Sequence, residues 1–256
     1  DAFLLESGMA AIFTLFRIIT ERRPGLKTLQ LCFPYVDALK VQEQFGAGVD
    51  FVNEATGEGL EQALRGIRSG CYAAVFCEVP SNPLLHTVDL GAVADAGQEG
   101  GVPLLVDDTV CSHLNIDTLA YADAASTSLT KWVSGVGDVL AGSIRLRKDS
   151  QFSDEFREAL EREVPGGSRL YYRDGDALVR NASDFRARVT ECNRNGLLVA
   201  SFLTDQSEVS EVWYPASTDR EAYEAIRRPN GGFGGLISFT LKEADKTAAL
   251  YEAMQF

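Results

Sequence analysis

The stretch Tyr72-Ala73-Ala74-Val75-Phe76-Cys77, followed at once by Glu78-Val79-Pro80-Ser81-Asn82-Pro83, decides how this chain folds. Its first half has no charge and no turn former, as in a strand buried on both faces of a sheet. Its second half carries two prolines, which cannot donate to a sheet ladder, so the chain must leave sharply and expose Asn82 at the strand mouth. Working outward, residues 28–33, Val49–Val52, 103–106, 124–126 and 140–146 are further apolar strand candidates. Between them Val36–Phe45, 59–68 and 90–98 have helical spacing, with Gly46 and Gly100-Gly101 as stops. Upstream, Ser7 precedes Ile12, Phe13, Phe16 and Ile19, a capped helix with one apolar face. Strands alternating with helices predict an α/β fold: a mainly parallel sheet with helices on both faces.

Past Lys148 the character changes. Residues 149–164 are charged and helical, and a second helical pattern runs from 174 to 203. Val209–Trp213 and 235–241 then read as strands of a smaller α+β unit, the latter after the flexible turn Gly231-Gly232-Phe233-Gly234-Gly235. The expected division is a large α/β domain over residues 1–172, its N-terminal part missing. Residues 173–256 are then a connecting long helix and a partial C-terminal small domain. Both ends read as cut.

Of 256 residues, 45% are hydrophobic and 24% charged, enough apolar chain for one large α/β domain or a domain and a half. The net charge of -13 repels phosphate backbones and argues against nucleic acid as a partner. Any phosphate-bearing ligand therefore needs a local site. No apolar run reaches the roughly 18 residues that a membrane-crossing helix requires. Cys32, Cys71, Cys77, Cys111 and Cys192 form no Cys-x-x-Cys pair, and most sit in apolar surroundings, as reduced thiols of a cytoplasmic protein do. With only His86 and His113 beside them, no zinc site is expected, and no Gly-x-Ser-x-Gly elbow is present.

Three segments fall just past strand C-termini, where open α/β sheets bind ligands. They are Glu78-Val79-Pro80-Ser81-Asn82-Pro83, then Val106-Asp107-Asp108-Thr109, then Ser128-Leu129-Thr130-Lys131-Trp132. Pyridoxal 5'-phosphate (PLP) chemistry needs parts of these kinds. A lysine forms the Schiff base and moves protons, and an acid keeps the pyridine nitrogen protonated. Helix-terminal amides and hydroxyls hold the phosphate, and an aromatic face covers the ring. Lys131, Asp107, the Gly8-Met9 helix start with Ser128 and Thr130, and Tyr35 supply that set in order.

Ser7-Gly8-Met9-Ala10-Ala11, the segment from Glu78 to Leu84, Val106-Asp107-Asp108-Thr109 and Ser128-Leu129-Thr130-Lys131-Trp132 resemble, in one order, the Cys/Met-metabolism PLP enzymes of fold-type I, the cystathionine γ-synthase family. Tyr214-Pro215 and the run from Gly232 to Phe239 resemble the start of that family's small domain. The resemblance implies that Lys131 is the Schiff-base lysine and that Asp107 pairs with the pyridinium. It implies that Ser128, Thr130 and the amides of Gly8 and Met9 hold the phosphate. Tyr35 stacks on the ring and joins Lys131 in catalysis, and Asn82 lies near the phenolic oxygen. It also implies amino-acid substrates and a homo-oligomer, dimer or tetramer. The implied reaction is γ-replacement, making cystathionine from an O-acylhomoserine and cysteine. The alternatives are γ- or β-lyase activity, or a non-catalytic homologue with a structural role.

The chain departs from the family pattern in Tyr35-Val36-Asp37 for Tyr-Gly-Gly, Asp107-Asp108-Thr109 for Asp-Asn-Thr, and Lys131-Trp132 for Lys-Tyr. Asn181-Ala182-Ser183-Asp184-Phe185 stands where Arg-Gly-Leu-Lys-Thr is usual. These departures resemble the fungal cystathionine γ-synthase branch. The family's Tyr-x-Arg segment and its substrate-carboxylate arginine would lie outside this sequence, so the chain reads as a fragment. Each assignment has a plainer counterpart. Asp107 can cap a helix, Tyr35 can be core, and Asn82 can serve only its turn. Asp108 and Glu78 read as structural carboxylates, Cys77 as core, and the arginines of 180–194 as a solvated or inter-subunit helix face.

Overall fold

A computed structural model describes residues 1–255. Seven strands form the main sheet: β1 Ala2–Leu5, β2 Lys27–Leu31, β3 Val49–Val52, β4 Tyr72–Glu78, β5 Leu104–Asp107, β6 Ala124–Ser128 and β7 Gly142–Leu146, in the order β1-β7-β6-β5-β4-β2-β3. Pairing from β3 through β6 is parallel. β7 runs antiparallel to both β6 and β1. The expected mainly parallel α/β sheet is what forms. The edge strand β1 carries no legible signal, because four apolar residues pair with a strand some 140 positions away.

Helices cover both faces. α1 Gly8–Arg22 crosses one face with α6 Ser153–Glu163; their Leu15, Ile18, Ile19, Phe156 and Leu160 pack on Phe76, Leu105 and Ile144. α3 Gly57–Arg68 and α4 Leu90–Gly100 cover the other, where Leu64, Ile67 and Val93 meet Leu31, Val75 and Val106. Between these elements lie α2 Val36–Phe45 and the short α5 Ser112–Asn115. The near-continuous apolar strands follow from this double coverage, since each successive side chain meets a different core.

Beyond the sheet, α7 Tyr172–Asn181 and α8 Phe185–Thr204 lead to a two-stranded antiparallel sheet of β8 Val209–Trp213 and β9 Ser238–Leu241. α9 Arg220–Ile226 and α10 Thr247–Ala253 flank it in sequence. The unbroken helix expected over 174–203 divides in two, with a short tighter turn at Ala182–Asp184. The reason is local. Asn181 bonds Ser134 and Asp138 through its side-chain amide, and its carbonyl accepts from the Arg188 guanidinium. That carbonyl is drawn away from the helical ladder.

Candidate active site

Strand alternation sorts the polar side chains at the carboxyl ends of β4, β5 and β6. Along β5, Leu104 and Val106 belong to one core and Leu105 to the other. Asp107 continues the Leu105 side and lines a small cavity with Ile12, Leu15, Phe76, Glu78 and Ser126. Glu78 pairs in register with Asp107, and Asp107 with Ser126. Asp108 turns to the opposite face. There it is fully buried, accepts from Thr118 at 2.9 Å and Thr127 at 2.5 Å, and is ion-paired to Arg145.

The two adjacent aspartates therefore have unlike electrostatics. Asp108 has its countercharge. Asp107 accepts from the Thr109 amide at 2.8 Å, and among the described residues no cation pairs with it. Burial drives its carboxyl above the ordinary carboxylate range, and the Thr109 bonds pull back only in part. Glu78 is raised too, first by burial and then by the charge of Asp107. A buried acid without a countercharge is costly. It suits a ligand that brings its own positive group.

The N-terminus of α1 lies on the same face. Ser7 caps α1, its hydroxyl accepting from the Ala10 amide at 3.0 Å while its carbonyl takes Ala11. The Gly8 and Met9 amides remain outside the helix's own ladder, at the positive end of the dipole. α1 begins directly against β6: a Cβ on Gly8 would stand 2.7 Å from the Ser128 Cβ and 3.1 Å from its hydroxyl oxygen. Thr109 joins this region to Asp107, because its hydroxyl accepts from the Ser128 amide at 2.8 Å. Replacing Gly8 by alanine is expected to force this contact apart and cost about 1–3 kcal/mol. The check is the thermal midpoint of the variant; an unchanged midpoint would show that the helix start retreats freely.

Lys131 follows β6 in the turn Thr130–Ser134. It is exposed and borders an open recess with Trp132, Gly135, Arg188, Glu191 and Cys192. Trp132 fixes this turn to the segment after Asp107, donating to the Val110 carbonyl at 2.8 Å. The Thr130 hydroxyl accepts from the Ala141 amide at 3.1 Å, and its own proton has only a 3.5 Å contact to the Ala141 carbonyl. Tyr35 begins α2 with its ring half exposed, and its amide donates to Glu78 at 2.8 Å. Asn82 is exposed on the turn beyond β4.

Three contributors escaped the sequence reading. Thr109 bridges Asp107 and Ser128. Arg145 neutralises Asp108 from β7, which only the tertiary pairing reveals. Arg188, expected on a solvated or inter-subunit face, instead turns inward. It donates to the carbonyls of Trp132, Val133 and Ser134, just after Lys131, at 2.8, 2.9 and 3.3 Å. Its fork geometry matches three adjacent carbonyls, but one arginine in a helix rich in arginines carries no such signal.

The residues fit PLP on two observations: an uncompensated half-buried acid at Asp107, and a helix N-terminus seated against Ser128. A family model described as Cys/Met metabolism PLP-dependent enzyme matches residues 1–256. Cystathionine gamma-synthase of Neurospora crassa is 33% identical over 263 residues, covering 100% of this chain and 42% of that protein. The chain thus spans under half the length of that curated relative. The crystal structure of metB from Corynebacterium glutamicum superposes with a TM-score of 0.78 at 26% identity, over 94% of this chain and 61% of that one. Apo CalE6, a methionine gamma lyase from Micromonospora echinospora, gives 0.80 at 25% identity, over 94% and 64%.

Proposed function

Since this chain belongs to the Cys/Met metabolism PLP-dependent enzyme family, we propose that it is the cofactor-binding part of a γ-replacement enzyme that joins an O-acylhomoserine and cysteine into cystathionine. The observation that carries the reading is Asp107: a half-buried carboxylate, among the described residues without a cation, on the face where α1 presents free amides. In this reading Lys131 holds PLP covalently and moves the proton at the substrate Cα. The Gly8 and Met9 amides, with the Ser128 and Thr130 hydroxyls, take the phosphate. Asp107 keeps the ring nitrogen protonated, Tyr35 covers the ring, and Asn82 faces its hydroxyl. The chemistry supplied by bound PLP is an electron sink for the pair left at Cα. The same reading has amino acids as substrates and a homo-oligomer, dimer or tetramer, as the assembled form.

The test is a coupled assay on the full-length protein with PLP, an O-acylhomoserine and cysteine. Cystathionine is the expected product. Release of keto acid and ammonia without cystathionine would replace this reaction by γ-elimination, which the likeness to a methionine gamma lyase structure favours as the second reading.

A further inference from the structure

Lys131 lies in a turn wider than a helical one. The Ser134 amide donates to the Leu129 carbonyl, five residues back, at 2.9 Å, a closure met mostly at functional sites. Gly135, at φ +80°, ends the turn. Among the described residues the carbonyls of Trp132, Val133 and Ser134 therefore meet no helical amides ahead of them. Arg188, in the first turn of α8, meets all three, at 2.8, 2.9 and 3.3 Å. The same guanidinium donates to the Asn181 carbonyl at 3.1 Å and to the Asp184 carboxylate at 2.7 Å. It packs so closely that a Cβ on Gly135 would overlap it. The ends of the turn have other holds. Leu129 and Thr130 bond Ala141, just before β7, and the Asn181 amide donates to the Ser134 hydroxyl at 3.0 Å. The backbone that follows the lysine is held by Arg188. Lys131 itself is exposed and shares its recess with that arginine.

We propose that Arg188 is a positioning residue for Lys131: its planar fork fixes the carbonyls that follow the lysine and so aims the amine at the cofactor. This rests on the reading of Lys131 as the Schiff-base lysine. A guanidinium presents its donors in one rigid plane, whereas an ammonium is a point charge on a flexible stem. Asp184 holds the guanidinium through its Nε, so the fork meets the turn in one orientation. The positive charge also suits the carbonyl end of a turn. Without it three acceptors turn to water, and the segment bearing the amine is free to shift. The Gly8 and Met9 amides and the Asp107 carboxylate belong to α1 and β5, apart from these bonds.

The experiment compares two ligands on the full-length wild type, Arg188→Gln and Arg188→Lys. PLP needs a well-placed lysine to be held covalently. Pyridoxamine 5'-phosphate shares the ring and the phosphate but has no aldehyde for a lysine to attack. Covalent capture of PLP is timed by its visible band, with borohydride fixation and peptide mapping to Lys131; affinity for pyridoxamine 5'-phosphate is measured by titration. Capture in Arg188→Gln is expected to be about tenfold or more slower, since displacing a reacting group by about 1 Å can cost about a hundredfold. Its affinity for pyridoxamine 5'-phosphate is expected to stay close to wild type, whereas simple structural support would weaken both ligands together. Arg188→Lys keeps the charge without the fork and is expected to slow capture as well. Equal losses for the two ligands, or wild-type capture in either variant, would overturn the proposal. Should Arg188→Gln not fold, Arg188→Lys decides alone. A wild type that binds neither ligand, or fixes PLP on another lysine, would instead remove the underlying site reading, and this proposal with it.

Discussion

Replacing Lys131 by alanine is expected to abolish the visible absorbance band of bound PLP and the cofactor adduct that borohydride fixes to the full-length protein. Of the chain's lysines, Lys27, Lys40 and Lys246 are exposed and ion-paired, with Asp50, Asp37 and Glu243. Lys131 alone follows a central strand of the main sheet at the end where α1 begins, in a turn held by Trp132 and Arg188. Among the described residues no other lysine follows a strand at that end of the main sheet, so the expected loss is complete. A borohydride-fixed adduct that persists in Lys131→Ala would assign the chemistry to a different lysine. Reduction followed by peptide mapping would name it.

Asp108→Ala is the substitution with the largest expected cost in stability. It removes the carboxylate that buries the Arg145 charge and satisfies the hydroxyls of Thr118 and Thr127. Breaking a buried pair by deleting one partner costs about 3–5 kcal/mol, because the remaining charge is left uncompensated. Arg145 keeps only 20% of its side chain exposed, so water does little to rescue it. Asp107→Ala, one residue away, is expected to leave the cofactor-free protein as stable as wild type or more so, since it deletes a half-buried acid that lacks a countercharge among the described residues. The check is chemical denaturation of both variants without PLP. Equal losses for the two would refute the division of labour between these neighbours.

The same electrostatics give a pH dependence. Asp107 and Glu78 both have carboxyls raised by burial in the folded protein. A raised acid binds its proton more tightly folded than unfolded, so its contribution to stability is full below the ordinary carboxylate range. It is lost as pH climbs toward the raised values. Cofactor-free protein is therefore expected to lose stability over that interval, and Asp107→Asn with Glu78→Gln to flatten the loss.

Much of the sheet was legible because its strands are covered on both faces and are apolar throughout, as Tyr72 to Cys77 shows. The turns were legible from Gly100-Gly101 and from the prolines at 80 and 83. β1 was not, because the strand it pairs with, β7, is distant and antiparallel. The break between α7 and α8 was not, because it depends on what Asn181 and Arg188 reach across to the lysine turn. In the site, strand alternation separates Asp107 from Asp108, and that follows from sequence once Leu104-Leu105-Val106 is a strand. The bridging roles of Thr109 and Arg188 do not, since each depends on which carbonyl or amide the fold brings opposite.

In the proposed site Asp107 and Lys131 serve one ring, and NMR of the full-length protein bound to PLP labelled at its ring nitrogen tests this directly. The predicted result is a protonated ring nitrogen in the wild type, and loss of that proton in Asp107→Ala while the borohydride-fixed adduct on Lys131 persists. A ring nitrogen already unprotonated in the wild type, or still protonated without Asp107, would contradict it.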